Sequence, residues 1–372
     1  MKSLSLLALA AGLLASPAAA DPFALSDTQL GAIAAGVRFT ITPRISDQPG
    51  AAPVTDPLLV NPWGLAAVSP TAPLWVANAG SGTSTVYNQS TFGKLSLAPN
   101  VPGAPTGATA VAQGAGNFVI QGTSSPAVFA FATETGQIRT WAGSVSTTDS
   151  FASVDNGARG DIYTGLTLAG TGDASKLMAA DFAHGLVRVF DRNFSEVSTF
   201  TDPGVPAGFA PFNVQVLNGS VYVTFAKQGD TSPVATGQGL GFISVFKTDG
   251  TFVRRLVTHG QLNAPWGVTI APASFGKLAG ALVVGNFGDG QINAFDAETG
   301  AFIDHLRDDT GKLQIERLWA LRNAPDGSIV FSAGVGAEQH GLVGTIQPSA
   351  MQAMFGAQER ASLAEMHAIR LP

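Results

Sequence analysis

The most restrictive feature of this chain is a phrase that repeats. ALVVGNFGDGQINAFDAETG, from Ala281 to Gly300, reads as a strand, a tight loop, a second strand and a turn. Weaker copies lie at Pro73 to Asn88, Lys176 to Asn193 and Ser220 to Gly250. A small sheet of this kind cannot bury both of its apolar faces alone, so such units stack or close on their neighbours.

Laid out in order, the phrase resolves into six units. A first strand begins at Trp63, Thr106, Gly165, Phe212, Trp266 and Trp319, and a second at Leu74, Phe118, Leu177, Val221, Leu282 and Ile329. Third strands follow at TSTVYN, AVFAFAT, LVRVFD, FISVFK, INAFDA and LVGTIQ. Fourth strands fit Lys94 to Leu97, Ile138 to Trp141, Val197 to Phe200, Phe252 to Leu256 and Ala301 to Leu306. The second unit is irregular, since FAFAT and IRTWAG both suit an outer strand. Four-stranded units at this period indicate an all-β, six-bladed β-propeller. The sixth unit lacks a fourth strand, which Val37 to Ile41 can supply, closing the last blade with the N-terminal strand and removing two open sheet edges. The stretches Ser146 to Arg159 and Gly229 to Gly239 read as surface loops.

Composition agrees: 44 Gly and 22 Pro interrupt a sequence that is 45% hydrophobic and 12% charged. The net charge of −6 offers no polycationic surface for nucleic acid. Without cysteine there is no disulfide, thiol chemistry, iron–sulfur cluster or CxxCH haem attachment. No nucleotide-cofactor motif is present either. Residues 1–20 read as a secretory signal peptide cleaved near Ala20, which predicts a secreted or periplasmic protein, and no later segment could span a bilayer as a helix. Residues 21–36 form a leader, either a poorly ordered terminus or a short helix that Ser26 could cap, residues 37–348 the propeller, and residues 349–372 a tail with one short C-terminal helix. That helix would pack on the propeller or engage a protein partner; nothing in the sequence fixes the oligomeric state.

Propeller topology brings two sets of loops to one channel mouth: those leading into the first strands, and those joining second to third strands. The first set carries Asn61, Trp63, Thr106, Phe212, Asn213, Asn263, Trp266 and Trp319; the second carries Asn78, Asp181, His184, Asn286, Asp289, Glu338 and His340. Asn61, Trp63, Asn78, Trp266 and Trp319 are candidates to bind a small molecule or an oligomeric ligand. Asn78, Asn286 and Asp289 suit turn hydrogen bonds equally well, and Trp63 and Trp266 suit packing between blades. Asp181, Asn213, Asn286 and Glu338 could converge as oxygen ligands for Ca²⁺. A bound cation could polarise an ester or lactone carbonyl while His184 or His340 moved a proton. A transition metal held by the two histidines with Asp181 or Glu338 is a variant; so is a purely bracing role for either imidazole. Arg159 with Asp161, and Arg254 with Arg255, read as surface or inter-blade contacts.

NPWGLA at Asn61, TDPGVPAGFAPFNVQ at Thr201, VYVTFAKQ at Val221, LNAPWGV, LVVGNFGDG and QHGLVGTI together resemble an uncharacterised family of exported bacterial proteins, from about Val37 to Ile346. The resemblance implies a propeller and no particular activity. Where the family phrase reads EHGL, this chain has Gln339 before His340 and Glu338 one place earlier. More distantly, the architecture is similar to six-bladed calcium-dependent lactonases and arylesterases, and to a seven-bladed streptogramin lyase that uses a histidine base and a divalent cation. Three functions therefore stay open: ligand binding at the channel mouth, a cation-dependent hydrolase or lyase there, and an envelope scaffold.

Overall fold

A computed structural model describes residues 37–112, 118–230 and 233–349. The signal peptide, the leader and the C-terminal helix expected from sequence lie outside the described residues. Six antiparallel sheets follow one another along the chain, each with its first strand innermost, as a six-bladed β-propeller. The inner strands are Pro62–Ala66, Pro105–Ala110, Tyr163–Ala169, Phe209–Leu217, Pro265–Ile270 and Leu318–Asn323. Closure occurs as expected. Phe39–Ser46 pairs antiparallel with Leu342–Pro348, Ile41 opposite Ile346, so the last blade combines both ends of the propeller.

Strands buried on both sides explain the near-continuous apolar runs. In blade 3, Leu177 and Ala179 pack toward blade 2 while Met178 and Ala180 pack toward blade 4. The same alternation repeats around the circle, producing six inter-blade cores, the one between blades 6 and 1 built on Ile45, Val343, Leu74 and Tyr87. Fully burying each Leu, Ile, Val or Met among them contributes roughly 1.5–3 kcal/mol.

The inner strands meet at the W-G and T-G dipeptides. A Cβ on Gly64 would lie 2.5 Å from Thr106 O, on Gly107 2.2 Å from Leu166 N, on Gly165 2.4 Å from Asn213 Oδ1, and on Gly267 2.3 Å from Trp319 O. Only glycine permits backbones to approach this closely. Every inner strand also breaks register here, between Pro62 and Leu65 in blade 1 and at matching places in the other five. Hydrogen bonds tie the same level together. Thr106 Oγ1 donates to Tyr163 O at 2.7 Å, Asn213 Nδ2 to Trp266 O at 2.9 Å, and Ser332 Oγ to Trp63 O.

Two expectations are corrected. In blade 2 the second strand is Phe129–Thr133, the third Gln137–Trp141 and the fourth Phe151–Asp155, one strand out of step with the sequence-based assignment. Phe118 and Ile120 are buried in the core between blades 2 and 3 as a loop, with a single bridge from Val119 to Pro126, so their apolar character is satisfied without a ladder. In blade 1, Lys94 to Leu97 contributes only an isolated bridge to Tyr87 instead of a full outer strand.

Gly107→Ala should therefore destabilise the fold by about 2 kcal/mol or more, because the obstructing atom is backbone and cannot swing aside. Urea unfolding of the wild type and variant measures the difference.

Candidate functional site

The lead-in loops and the second-to-third loops do share one face, and its centre is filled by aromatic rings. Trp63 stacks on Trp319 with centroids 3.4 Å apart, Phe287 stacks on the other side of Trp319 at 4.2 Å, and Trp266 meets Trp63 edge-on at 6.2 Å. Phe212 and Phe182 complete the plug. All three indoles are buried. Trp319 Nε1 donates to Asn61 Oδ1 at 3.0 Å and Trp266 Nε1 to Thr164 O at 2.9 Å, while Trp63 Nε1 has no hydrogen-bond partner among the described residues.

Four lead-in residues, Asn61, Ala104, Ala264 and Arg317, have φ between 47° and 57°. This left-handed twist, repeated immediately before the inner strand, aims the following residue at the axis. Asn61 also donates to Glu338 Oε1 at 3.2 Å, and Arg317 lies 4.6 Å over the Phe287 ring. Burial raises the Glu338 carboxyl above the usual carboxylate range, against the lowering effects of Asn61 and Arg317. Glu134, in the second-to-third turn of blade 2, is likewise raised by the protein crowded around it and then by the charge of Glu338. Its side chain is nonetheless exposed to solvent.

Asn78, Asp181 and Asn286 occupy equivalent positions, opposite Pro62, Tyr163 and Pro265 at the ends of their second strands. Asp181 Oδ1 accepts from Ile162 N at 3.3 Å, and Asn286 Oδ1 accepts from Asn263 N at 3.1 Å. Asn78 Oδ1 has no hydrogen-bond partner among the described residues, because the backbone N–H of Asn61 is given to His340 O instead. Asn213 is engaged at both ends, by Trp266 O and by its neighbour Val214 N. Asp181, Asn213, Asn286 and Glu338 thus sit on blades 3, 4, 5 and 6, each within its own set of hydrogen bonds. His340 Nδ1 donates to Asp47 Oδ2, 2.8 Å away, where the closing strand ends on blade 6. His184 belongs to blade 3, so the two imidazoles serve separate blades.

One cluster of metal-ligand type exists among the described residues: Asp161, Asp181 and His184, whose ligand atoms lie within 4.8 Å of one another. It is a buried Asp/Asp/His group capable of coordinating a divalent cation such as Ca²⁺. Both carboxylates are 0% exposed and the imidazole is 40% exposed. His184 Nδ1 is 2.9 Å from Asp181 Oδ2 and 3.4 Å from Asp161 Oδ1. Arg188 from the third strand places Nε 2.7 Å from Asp161 Oδ2 and 2.9 Å from Asp181 Oδ2, and its NH1 bonds Glu196 at 3.0 Å. Arg159 joins Asp161 and Glu196, and the Tyr163 hydroxyl donates to Asp161. Burial of that hydroxyl, together with its carboxylate partner, pushes its pKa up, so it stays protonated as a donor. Three carboxylates against two guanidiniums leave one negative charge uncompensated when His184 is neutral.

Sequence reasoning singled out Asp181 and His184, read Asp161 only as a contact of Arg159, which it is, and missed Arg188 and Glu134. Asp161 sits two residues before an inner strand, the position held by Asn61 one residue closer in blade 1; that offset was the available signal. Glu134 was hidden by the blade 2 register, which put it at the end of a third strand.

No family model matches the chain. Two curated relatives from Acanthamoeba polyphaga mimivirus do: Uncharacterized protein R648, 34% identical over 322 residues, covering 81% of this chain and 78% of that protein, and Uncharacterized protein L690, 32% identical over 315 residues, covering 78% and 81%. Among solved structures, a streptogramin B lyase aligns over 84% of this chain and 97% of its own at 12% identity, with a TM-score of 0.48.

Removing one member of a buried ion network strands the others, so Arg188→Met should cost about 3–5 kcal/mol, measured by chemical denaturation. Glu338 gives a pH prediction of the opposite kind. Its folded pKa exceeds the unfolded one, so its contribution is fully present below the ordinary carboxylate range and is lost as pH rises through the raised value. Glu338→Gln should raise the melting temperature at neutral pH, and the gain should shrink as pH falls into the carboxylate range.

Proposed function

The chain belongs to the family of the mimivirus proteins R648 and L690, whose names carry no activity, and from the geometry we propose a divalent-cation-dependent hydrolase or lyase acting on a small molecule at the loop face of the propeller. The observation that carries this is the convergence of Asp161, Asp181 and His184. Two buried carboxylates and an imidazole form a donor set suited to a divalent ion, and the network around them is one positive charge short. When bound, such an ion supplies Lewis-acid polarisation of a carbonyl or phosphoryl oxygen.

The protein's own groups divide the remaining work. Asp161 and Asp181 are held in place by backbone and side-chain donors, so they are oriented before any ligand arrives. Arg188 neutralises both carboxylates, and its second anchor at Glu196 lets it move off them without losing every partner. His184 turns Nδ1 toward the carboxylates, and Nε2 makes no hydrogen bond among the described residues, leaving that nitrogen to exchange a proton with substrate or solvent. The site lies against blade 2, where the backbone of Asp161 packs on Gly136, so the reacting centre is off the axis. Export by the N-terminal signal would place this activity outside the cytoplasm.

A second reading, ligand binding without chemistry, is favoured by Arg188 itself: a guanidinium already lodged between two carboxylates neutralises them without a metal ion. Metal analysis separates the two. After chelation and dialysis against Ca²⁺, Mn²⁺ or Zn²⁺, the cation-dependent reading expects one equivalent bound to the wild type and none to the Asp161→Asn, Asp181→Asn double variant. Arg188→Gln should bind the ion at least as tightly, because the competing charge is gone. No bound ion in either protein would leave the binding module as the surviving reading.

A further inference from the structure

The central channel continues behind the aromatic plug as a cavity of about 420 Å³. Its walls are the inner strands of the blades, from Gly64 to Val68, Gly107 to Ala110, Leu166 to Leu168, Asn213 to Val216 and Ala320 to Arg322, with Trp266 of the plug at its end. Val68, at the far end of its strand, is 48% exposed, so the cavity lies toward the face opposite the loop cluster. Each inner strand is the edge of its sheet, and backbone N–H and C=O groups on its free side face the axis. The interior is therefore polar through its main chain as well as through Thr109, Thr167, Asn213 and Gln215, beside apolar Leu and Val side chains.

One lining residue is charged. Arg322 is half-buried, and its NH1 donates to Gln89 Oε1 at 3.0 Å. Gln89 is itself buried and held by Ser69 O and Ala72 O, which fixes the orientation of the acceptor. No carboxylate lines the cavity, and Arg322 has no ion-pair partner among the described residues. Arg159, Arg188, Arg192, Arg255 and Arg307 each have one. In a chain with net charge −6, an arginine left without a counter-charge in a concave, partly desolvated place is costly, and such groups ordinarily acquire a partner.

We infer that the axial cavity is a binding site for a small organic or inorganic oxyanion, a carboxylate or phosphate group held by the Arg322 guanidinium with the rest of the ligand against the inner-strand backbones. The planar fork of arginine matches both oxyanion types. The volume falls in the lower part of the range of small-molecule pockets, which suits a compact metabolite and not a polymer. This site opens toward the face opposite the one that carries Asp161, Asp181 and His184 and does not depend on a cation being bound there.

The test uses the full chain and two probes, malonate for the carboxylate class and inorganic phosphate for the other, with thermal shift and calorimetric titration at fixed ionic strength. One probe or both should raise the melting temperature of the wild type and of Arg254→Gln, an exposed arginine serving as control. Arg322→Gln should weaken the apparent affinity at least tenfold, and Arg322→Lys should restore part of it. Gln215→Phe, which fills the cavity from the blade 4 strand and leaves the arginine in place, should abolish the effect and guards against a folding defect in the arginine variants. The relative response to malonate and phosphate assigns the ligand class. No response to either probe in the wild type overturns the inference, as does a response of equal size in Arg322→Gln or one that survives Gln215→Phe.

Discussion

Everything in this molecule depends on inner strands that touch through their backbones. Gly64, Gly107, Gly165 and Gly267 let successive blades come within van der Waals range at one level, and the carbonyls of Trp63, Tyr163, Trp266 and Trp319 lie at that level. A circle of contacts this short has no slack, so it must close. Closure is provided by Phe39–Ser46 zipped onto Leu342–Pro348, which covers the free edges that both strands would otherwise expose.

That constraint also divides the axis into two chemically different ends. On the loop face, bulky residues precede the glycines, and Trp63, Trp266 and Trp319 meet in a dense plug with Phe212 and Phe287. Beyond the glycines blades 1 and 2 carry small residues, Ala66–Ala67 and Ala108–Thr109–Ala110, and a cavity opens. The same six strands therefore shut the mouth that topology first suggests as a binding site and open the opposite one. Polar side chains of the loop face are displaced outward as a result, to blade edges such as the Asp161–Asp181–His184–Arg188 cluster.

The six-fold phrase made the architecture legible, because alternation in strands packed on both sides leaves an apolar signature that turns interrupt at regular places. It failed where burial and strand formation part company. Phe118 and Ile120 have the composition of a strand and are buried as loop, whereas Phe151–Asp155, half-buried and set within a Ser-, Thr- and Asp-rich stretch that reads as a loop, pairs as an outer strand. The candidate site was legible only in part for a related reason. Asp181 and His184 lie three residues apart and announce themselves, but Asp161 and Arg188 join them across 20 and 7 residues of chain through the blade 3 ladder.

The chain by itself determined that six short sheets would form and that its two ends would share the last one, since pattern and turn residues are local properties read in order. Only the tertiary structure decided which polar residues meet. Asn213, Asn286, Glu338 and Asp181 look alike in sequence, yet each is satisfied within its own blade or by its neighbour, while Arg322, unremarkable in sequence, is left facing a cavity without a counter-charge. Whether a polar side chain has a partner depends on groups brought from other blades, and that information does not exist until the circle is closed.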